Sequence, residues 1–282
     1  MPTCVLLAIG SELLNGEVRD ANLHTLSQRL TSLGLVVTFA VITRDQEEDI
    51  IAALHFLLRQ APDVLIITGG LGPTDDDLTL RVLAQALDRP LHLNAEARRL
   101  VEMHYARLAQ QGYLRDHGPA SARLKMSQLP AGATPLPNPI GTAPGVRLLH
   151  EGVLLYVLPG VPAEMQAIFE ASIVPELTTR FGAGSWSEAW LVVRVDDEAK
   201  LARPLREVAQ RHPDVYLKSL AQPFPTATRR GLKVIAAAHA PDSTIASQAT
   251  RAALKDLRQV LEGLELQIVS EGPGADASQN EP

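Results

Sequence analysis

VLIITGGLGPTDDDLT, residues 64–79, is the stretch on which the fold turns. Its opening, Val64–Thr68, is apolar up to a closing threonine, the pattern of a strand buried on both faces in a parallel sheet. Gly69, Gly70 and Gly72 follow, then Asp75, Asp76 and Asp77, then an amphipathic helical segment, Leu78–Leu87. A glycine turn between a buried strand and a helix lets the backbone bend sharply and approach a bound group, with its amides directed at an anion. The turn lacks the GxxxxGK[ST] of a P-loop and the GxGxxG of a dinucleotide fingerprint, so it is a phosphate loop of another kind.

Upstream of this stretch, Val5–Ile9 and Val36–Ile42 read as strands and Ala21–Leu33 and Glu47–Arg59 as amphipathic helices. Downstream, Ala95–Gln111 reads as a helix, Val153–Leu158 as a buried strand, and Ala163–Phe181 as a helix that Pro175 kinks or splits. Strands alternating with helices in this way predict an α/β class: a doubly wound, mostly parallel sheet that collects its ligand at the carboxyl ends of the strands. The segment LPAGATPLPNPIGTAPG, 129–145, predicts ordered surface turns. Beyond residues 182–184, strands and helices follow the order βαββαβ, which predicts a second, small α+β KH-like domain. The expected domains are therefore 1–180 and 185–270, with a polar, disordered tail over 271–282.

Composition narrows the function. A chain of 282 residues, 46% hydrophobic and 21% charged, buries a sizeable core without disulfides or a structural metal. It contains no apolar run near the roughly 20 residues of a membrane-spanning helix. A single cysteine, Cys4, excludes an intrachain disulfide; with no leader pattern before the first strand, a cytoplasmic location is expected. The net charge of −6 provides no general attraction for nucleic acid, so an anionic ligand must be held locally. Eight scattered histidines form no HxxH pair, which argues against zinc. Glu12 and Asp45 stand just after the first two strands, on the sheet edge shared with the 68–79 loop. Carboxylates gathered around one anion call for Mg²⁺ or a similar hard cation, whereas each taken singly reads equally well as a helix cap.

Four segments resemble the molybdopterin-binding fold shared by MogA, MoaB and the amino-terminal domain of CinA: IGSELLNGEVRDAN (9–22), VITRDQEEDI (41–50), TGGLGPTDDDLT (68–79), and the pair NPIGTAPG (138–145) and LPGVPAEM (158–165). The long first segment and the last pair favour the CinA type, although its usual GDELL reads Gly10-Ser11-Glu12 here. The resemblance implies a phosphate-bearing nucleotide or pterin as ligand. Its contacts would be Gly69, Gly70, Gly72, Thr74, Asn138, Gly141, Thr142 and Gly160. It implies Asp45 and Asp77 as catalytic acids, and Glu12, Asp45, Asp76 and Asp77 as ligands of a divalent metal (Mg²⁺, Mn²⁺ or Co²⁺). The implied activity is a pyrophosphatase that splits ADP-ribose, or a related dinucleotide such as FAD, into two monophosphates.

The CinA-type deamidase domain would lie after this region, so no deamidation of nicotinamide mononucleotide is expected. A homo-oligomer, a dimer first, is implied as well. Two alternatives stand beside the hydrolase: a pterin-binding or adenylyl-transfer protein of molybdenum cofactor assembly, and a non-catalytic RNA-binding module. The last is disfavoured by the absence of a GXXG loop, although Arg229, Arg230 and Lys233 offer a small basic patch.

Overall fold

The computed structural model describes residues 1–113, 120–182, 184–220 and 231–273, and divides into two compact units. Arg229 and Arg230 lie outside the described residues. The first unit comprises Met1–Leu30 and Leu35–Arg180, the second Thr31–Gly34 with the chain from Phe181 onward.

In the first unit the chain runs β1 (Thr3–Ile9), α1 (Ser11–Leu14), α2 (Asn22–Ser32), β2 (Val36–Thr43), α3 (Glu47–Leu58), β3 (Val64–Thr68) and α4 (Thr79–Ala86). It continues through β4 (Leu91–Leu93), α5 (Ala95–Gln110), α6 (Ala120–Lys125), β5 (Gln128–Pro130), β6 (Thr134–Leu136), β7 (Gly145–His150), β8 (Val153–Leu158), α7 (Pro162–Ile168) and α8 (Val174–Phe181). Six strands form one sheet in the order β2-β1-β3-β8-β7-β6. The four from β2 to β8 are parallel, while β7 and β6 are antiparallel to their neighbours. Because β1 leads to β2 on one side and has β3 on the other, the connections reverse between β1 and β3, which opens a crevice at the carboxyl ends of those strands.

The all-apolar runs behave as their composition requires. Every residue of β3 and β8 is buried, as are six of the seven in β1. One sheet face, with Val5 and Leu7 of β1, Leu65 and Ile67 of β3, and Leu155 and Val157 of β8, meets Leu54 and Leu57 of α3, Val82 and Leu83 of α4, and Val101 of α5. Each such side chain contributes about 1.5–3 kcal/mol when fully buried. Cys4 is buried in β1, and desolvation, with the charge of Asp63 second, pushes its thiol well up, so it acts as a core residue.

One expectation for this unit is corrected. The segment from 129 to 145 is more than surface turns: it supplies β6 and the ends of β5 and β7, with Leu129, Leu136 and Ala143 buried. The hairpin from β7 to β8 turns through Glu151 and Gly152, both at positive φ (48° and 87°), a two-residue turn whose first position is not the usual Asn or Asp. The helix expected over 163–181 is divided by a π-helical turn at Phe169–Ile173, immediately before Pro175, which has no amide to donate to the preceding turn.

The second unit runs β9 (Ser185–Val193), α9 (Ala199–Arg211), β10 (Val215–Leu220), β11 (Leu232–Ala240), α10 (Ser243–Gly263) and β12 (Ile268–Pro273). Its antiparallel sheet has the order β10-β11-β9-β12, a split-βαβ sandwich, so the expected small α+β domain is present. Residues 271–273, assigned by composition to a disordered tail, instead pair with Leu191, Trp190 and Ala189. Ladder hydrogen bonds order them without apolar side chains. Residues 274–282 lie outside the described residues. Lys233 lies 5.0 Å from the centre of the Trp190 ring. Among the described residues no helix is long and apolar enough to cross a membrane.

Behind the sheet, Arg147 of β7 donates from Nε to Glu176 (2.8 and 2.9 Å) and the buried Tyr156 of β8 donates its hydroxyl to Glu176 Oε2 (2.7 Å). Burial opposes ionisation of Glu176, but the hydrogen bonds from Arg147 and Tyr156 outweigh it and hold the carboxyl below its ordinary 4.5. A depressed carboxyl stabilises the fold above its unfolded pKa, and that stability is lost as pH falls through the folded value. Urea titrations at falling pH are expected to show stability declining below pH 4.5. Glu176→Gln should flatten that decline, at a cost of about 2 kcal/mol at neutral pH.

Candidate functional site

Three strand ends meet at Gly69. Its φ is +103°, and a Cβ there would stand 2.1 Å from the Ile9 carbonyl oxygen at the end of β1. Its amide donates to the Leu158 carbonyl at the end of β8 (3.0 Å). Gly70 also has positive φ (+65°), and a Cβ there would lie 2.2 Å from Thr79 Oγ1. Thr79 is buried and ties the start of α4 back to the turn, its hydroxyl donating to Gly69 O (2.8 Å) and its amide to Gly70 O (3.3 Å). The amides of Gly70, Leu71 and Gly72 find no acceptor among the described residues, which leaves three consecutive donors at the crevice.

Gly160, at the end of β8, completes the crevice. A Cβ on it would be 3.5 Å from Gly69 Cα, and its carbonyl accepts from Asn22 Nδ2 (2.8 Å). Asn22, the first residue of α2, is buried, and its Oδ1 has no partner among the described residues. The amide orientation is dictated chemically, because a flipped group would set two acceptors against each other.

The acids occupy two separate places. Asp45 Oδ2 accepts the Ser11 amide (2.7 Å) while Ser11 Oγ accepts the Asp45 amide (3.2 Å), a reciprocal clamp between the ends of β1 and β2. The Glu12 carboxylate folds over Gly10, with Oε1 2.4 Å from where a Cβ would be. On the far side, Asp77 Oδ2 accepts both the amide (2.9 Å) and the hydroxyl (2.6 Å) of Thr74, and fills the space beside Gly72. Lys125 of α6 donates to the Thr74 carbonyl. Asp75, Asp77, Lys125, Gly70 and Gly72 line a cleft of about 200 Å³. Asp76 is exposed and stands outside that lining.

The expected four-acid metal set is therefore not assembled. Among the described residues no three of His, Cys, Asp and Glu form a group able to hold a metal ion. The carboxylates are engaged elsewhere: Asp45 turns onto Ser11 between the ends of β1 and β2, and Asp77 onto Thr74 beyond the glycine turn. The donors present fit a cation only where a ligand's phosphate oxygens complete the shell, as Mg²⁺ commonly requires.

Other expected contacts also have structural work. The Thr74 hydroxyl is engaged by Asp77. Asn138 Nδ2 donates to Ala143 O (2.8 Å) and Glu164 Oε2 (2.7 Å), while its Oδ1 accepts from the amides of Ile140 (3.1 Å) and Gly141 (2.8 Å). The Glu164 carboxylate covers Gly141 so closely that a Cβ would fall 1.8 Å from Oε2. Ser11, Asn22, Lys125 and Glu164 escaped sequence reasoning as contributors. The first, second and last lie inside quoted segments, but only their partners across the fold reveal what they do.

An open, mostly parallel sheet with a glycine turn and unpaired amides at its reversal point defines a ligand-binding α/β domain. Residues 5–179 match the family profile described as "Probable molybdopterin binding domain", and the chain belongs to that family. Within it the chain is CinA-like. The solved structure of CinA from Thermoplasma acidophilum, described as of unknown function, is 30% identical, covers 62% of this chain and 97% of its own, and superposes with a TM-score of 0.56. A protein of Pyrobaculum calidifontis is 40% identical over 268 residues, 93% of this chain and 96% of its own. One of Aeropyrum pernix is 36% identical over 264 residues, 94% of each. The likeness to the Pyrobaculum and Aeropyrum proteins extends through the split-βαβ unit.

The close approach of β1 and β3 is directly testable. Gly152 also has positive φ, with nothing within 4 Å of an added Cβ, so Gly152→Ala carries only the conformational penalty of about 1 kcal/mol. Gly69→Ala is expected to lose clearly more in urea denaturation, because the Ile9 carbonyl has to move; equal losses would show that the contact imposes no constraint.

Proposed function

We propose that the crevice binds a phosphate-bearing nucleotide or pterin and that the chain hydrolyses the diphosphate of ADP-ribose, or of a related dinucleotide such as FAD, to two monophosphates. The observation that carries this reading is the row of unpaired amides at Gly70, Leu71 and Gly72, with Lys125 and Asp77 beside it. Such amides stabilise charge on phosphate oxygens without reorganising. Membership of the molybdopterin-binding-domain family and likeness to CinA are consistent with a ligand of this class.

In this reading the diphosphate lies on the amides with Lys125 near its charge. Asp77, held in orientation by Thr74, accepts the proton of a water whose oxygen attacks one phosphorus as the bridging phosphoanhydride P–O bond breaks and the other phosphate leaves with the electron pair. Asp45 positions the turn after β1 through Ser11. A divalent cation, held by Asp75 and Asp77 together with phosphate oxygens, would polarise a phosphoryl oxygen. A second reading, ligand binding without hydrolysis, is favoured by one observation: the absence of a three-acid group among the described residues.

Purified protein incubated with ADP-ribose and Mg²⁺, Mn²⁺ or Co²⁺ is expected to release AMP and ribose 5-phosphate, resolved by chromatography. Asp77→Asn should lower kcat by about 100-fold or more. No product with any of the three cations, alongside tight binding of a pterin, would establish the second reading.

A further inference from the structure

The 137–144 loop is closed through Asn138 and the Glu164 carboxylate that covers Gly141, and its Thr142 lines the same cavity as its prolines. What it turns outward is one wall of a cavity of about 370 Å³ shared with α5. Pro137, Pro139 and Pro144 stand on the loop side, Leu100 and Met103 on the helix side. The cavity also holds His104 and Arg107. His104 is 6% exposed; burial, and secondarily the Arg107 charge, holds its imidazole below the usual 6.5, so it is neutral at physiological pH. Arg107 Nη2 bridges helix and loop, lying 3.2 Å from His104 Nδ1 and donating to Pro139 O at 3.2 Å. The Nε and Nη1 donors of that fixed guanidinium have no partner among the described residues.

We propose that this cavity is a ring subsite: it takes a bicyclic heteroaromatic ring with acceptor atoms on its edge, a chemistry shared by purines and pterins, from the ligand whose phosphates lie on the glycine turn. Apolar walls of proline and methionine suit a flat ring, a neutral imidazole adds no charge to repel or attract, and a planar guanidinium both stacks on such a ring and donates to its edge. Location supports the pairing. Glu164, which covers the cavity residue Gly141, is four residues from Gly160, and Gly160 touches Gly69. Four residues span at most about 14 Å, so cavity and turn lie along one edge of the sheet. The proposal rests on the phosphate-binding reading of the glycine turn.

The test uses the intact protein and calorimetric titration with AMP, a pterin, ribose 5-phosphate and inorganic pyrophosphate. Arg107→Met keeps the aliphatic stem but removes the fork. Met103→Glu places a charge on the wall at a position already 55% exposed, where the fold tolerates it. Both variants are expected to weaken the ring-bearing probe, AMP or pterin, by about tenfold or more while leaving ribose 5-phosphate and pyrophosphate within about twofold. Loss for AMP alone or pterin alone identifies the ring. Parallel changes for AMP and ribose 5-phosphate, or no change for either ring probe, would overturn the assignment. Should pyrophosphate and ribose 5-phosphate not bind the wild type while AMP or pterin remains sensitive to Arg107, the glycine-turn reading fails and the ring cavity stands.

Discussion

The carbonyl oxygen of Ile9 occupies the place a side chain at residue 69 would need, and much of the crevice follows from that single contact. A parallel sheet brings β1 and β3 within one hydrogen-bonded spacing, and the chain leaving β3 must turn across the end of β1 at once. Only a residue without Cβ passes there, and its positive φ sends Gly70, Leu71 and Gly72 over the crevice. The Gly69 amide is then free to reach Leu158, which joins the third strand end, and Asn22 pins the same junction from α2 through Gly160. Close backbone approach thus creates the geometry, and the next three amides find no acceptor among the described residues.

Around this junction the polar side chains are mainly holding loops. Asp45 and Ser11 exchange hydrogen bonds across two strand ends, Asp77 gathers the Thr74 turn, and Asn138 and Glu164 close the 137–144 loop. Such use explains how a crevice with many acids contains no ready-made cage for a cation among the described residues: each of these carboxylates is already engaged by neighbouring donors. It also leaves rigid surfaces rather than exposed polar tips, with the glycine amides in one place and the wall of prolines, His104 and Arg107 in another. In the binding mode proposed above, a ligand with an anionic part and a flat ring would meet both.

How much was legible depended on the range of the interaction. Val64–Thr68 and Val153–Leu158 are continuous apolar runs bounded by Gly or Pro, so their strand character and full burial were readable directly. The hairpin at Glu151 and Gly152 was not, because its turn carries Glu where Asn or Asp would signal it. Residues 271–273 misled for the complementary reason: their composition is that of a tail, and only the edge of β9 orders them. Pro175 marked the division of its helix, but a π-turn rather than a simple kink is a response of the packed helix that no propensity encodes.

By itself the chain's order of residues determined the α/β class, the glycine turn after a buried strand and the sheet edge to which its acids belong, since period, glycine placement and chain order act locally. Tertiary structure alone decided which of those acids stand together, which amides find no acceptor among the described residues, and that Asn22 meets Gly160, Lys125 meets Thr74, and His104 and Arg107 line one cavity. The physical reason is that hydrogen-bond partners are chosen by distances of about 3 Å between loops far apart in the chain, and a residue's type does not disclose which partner will arrive.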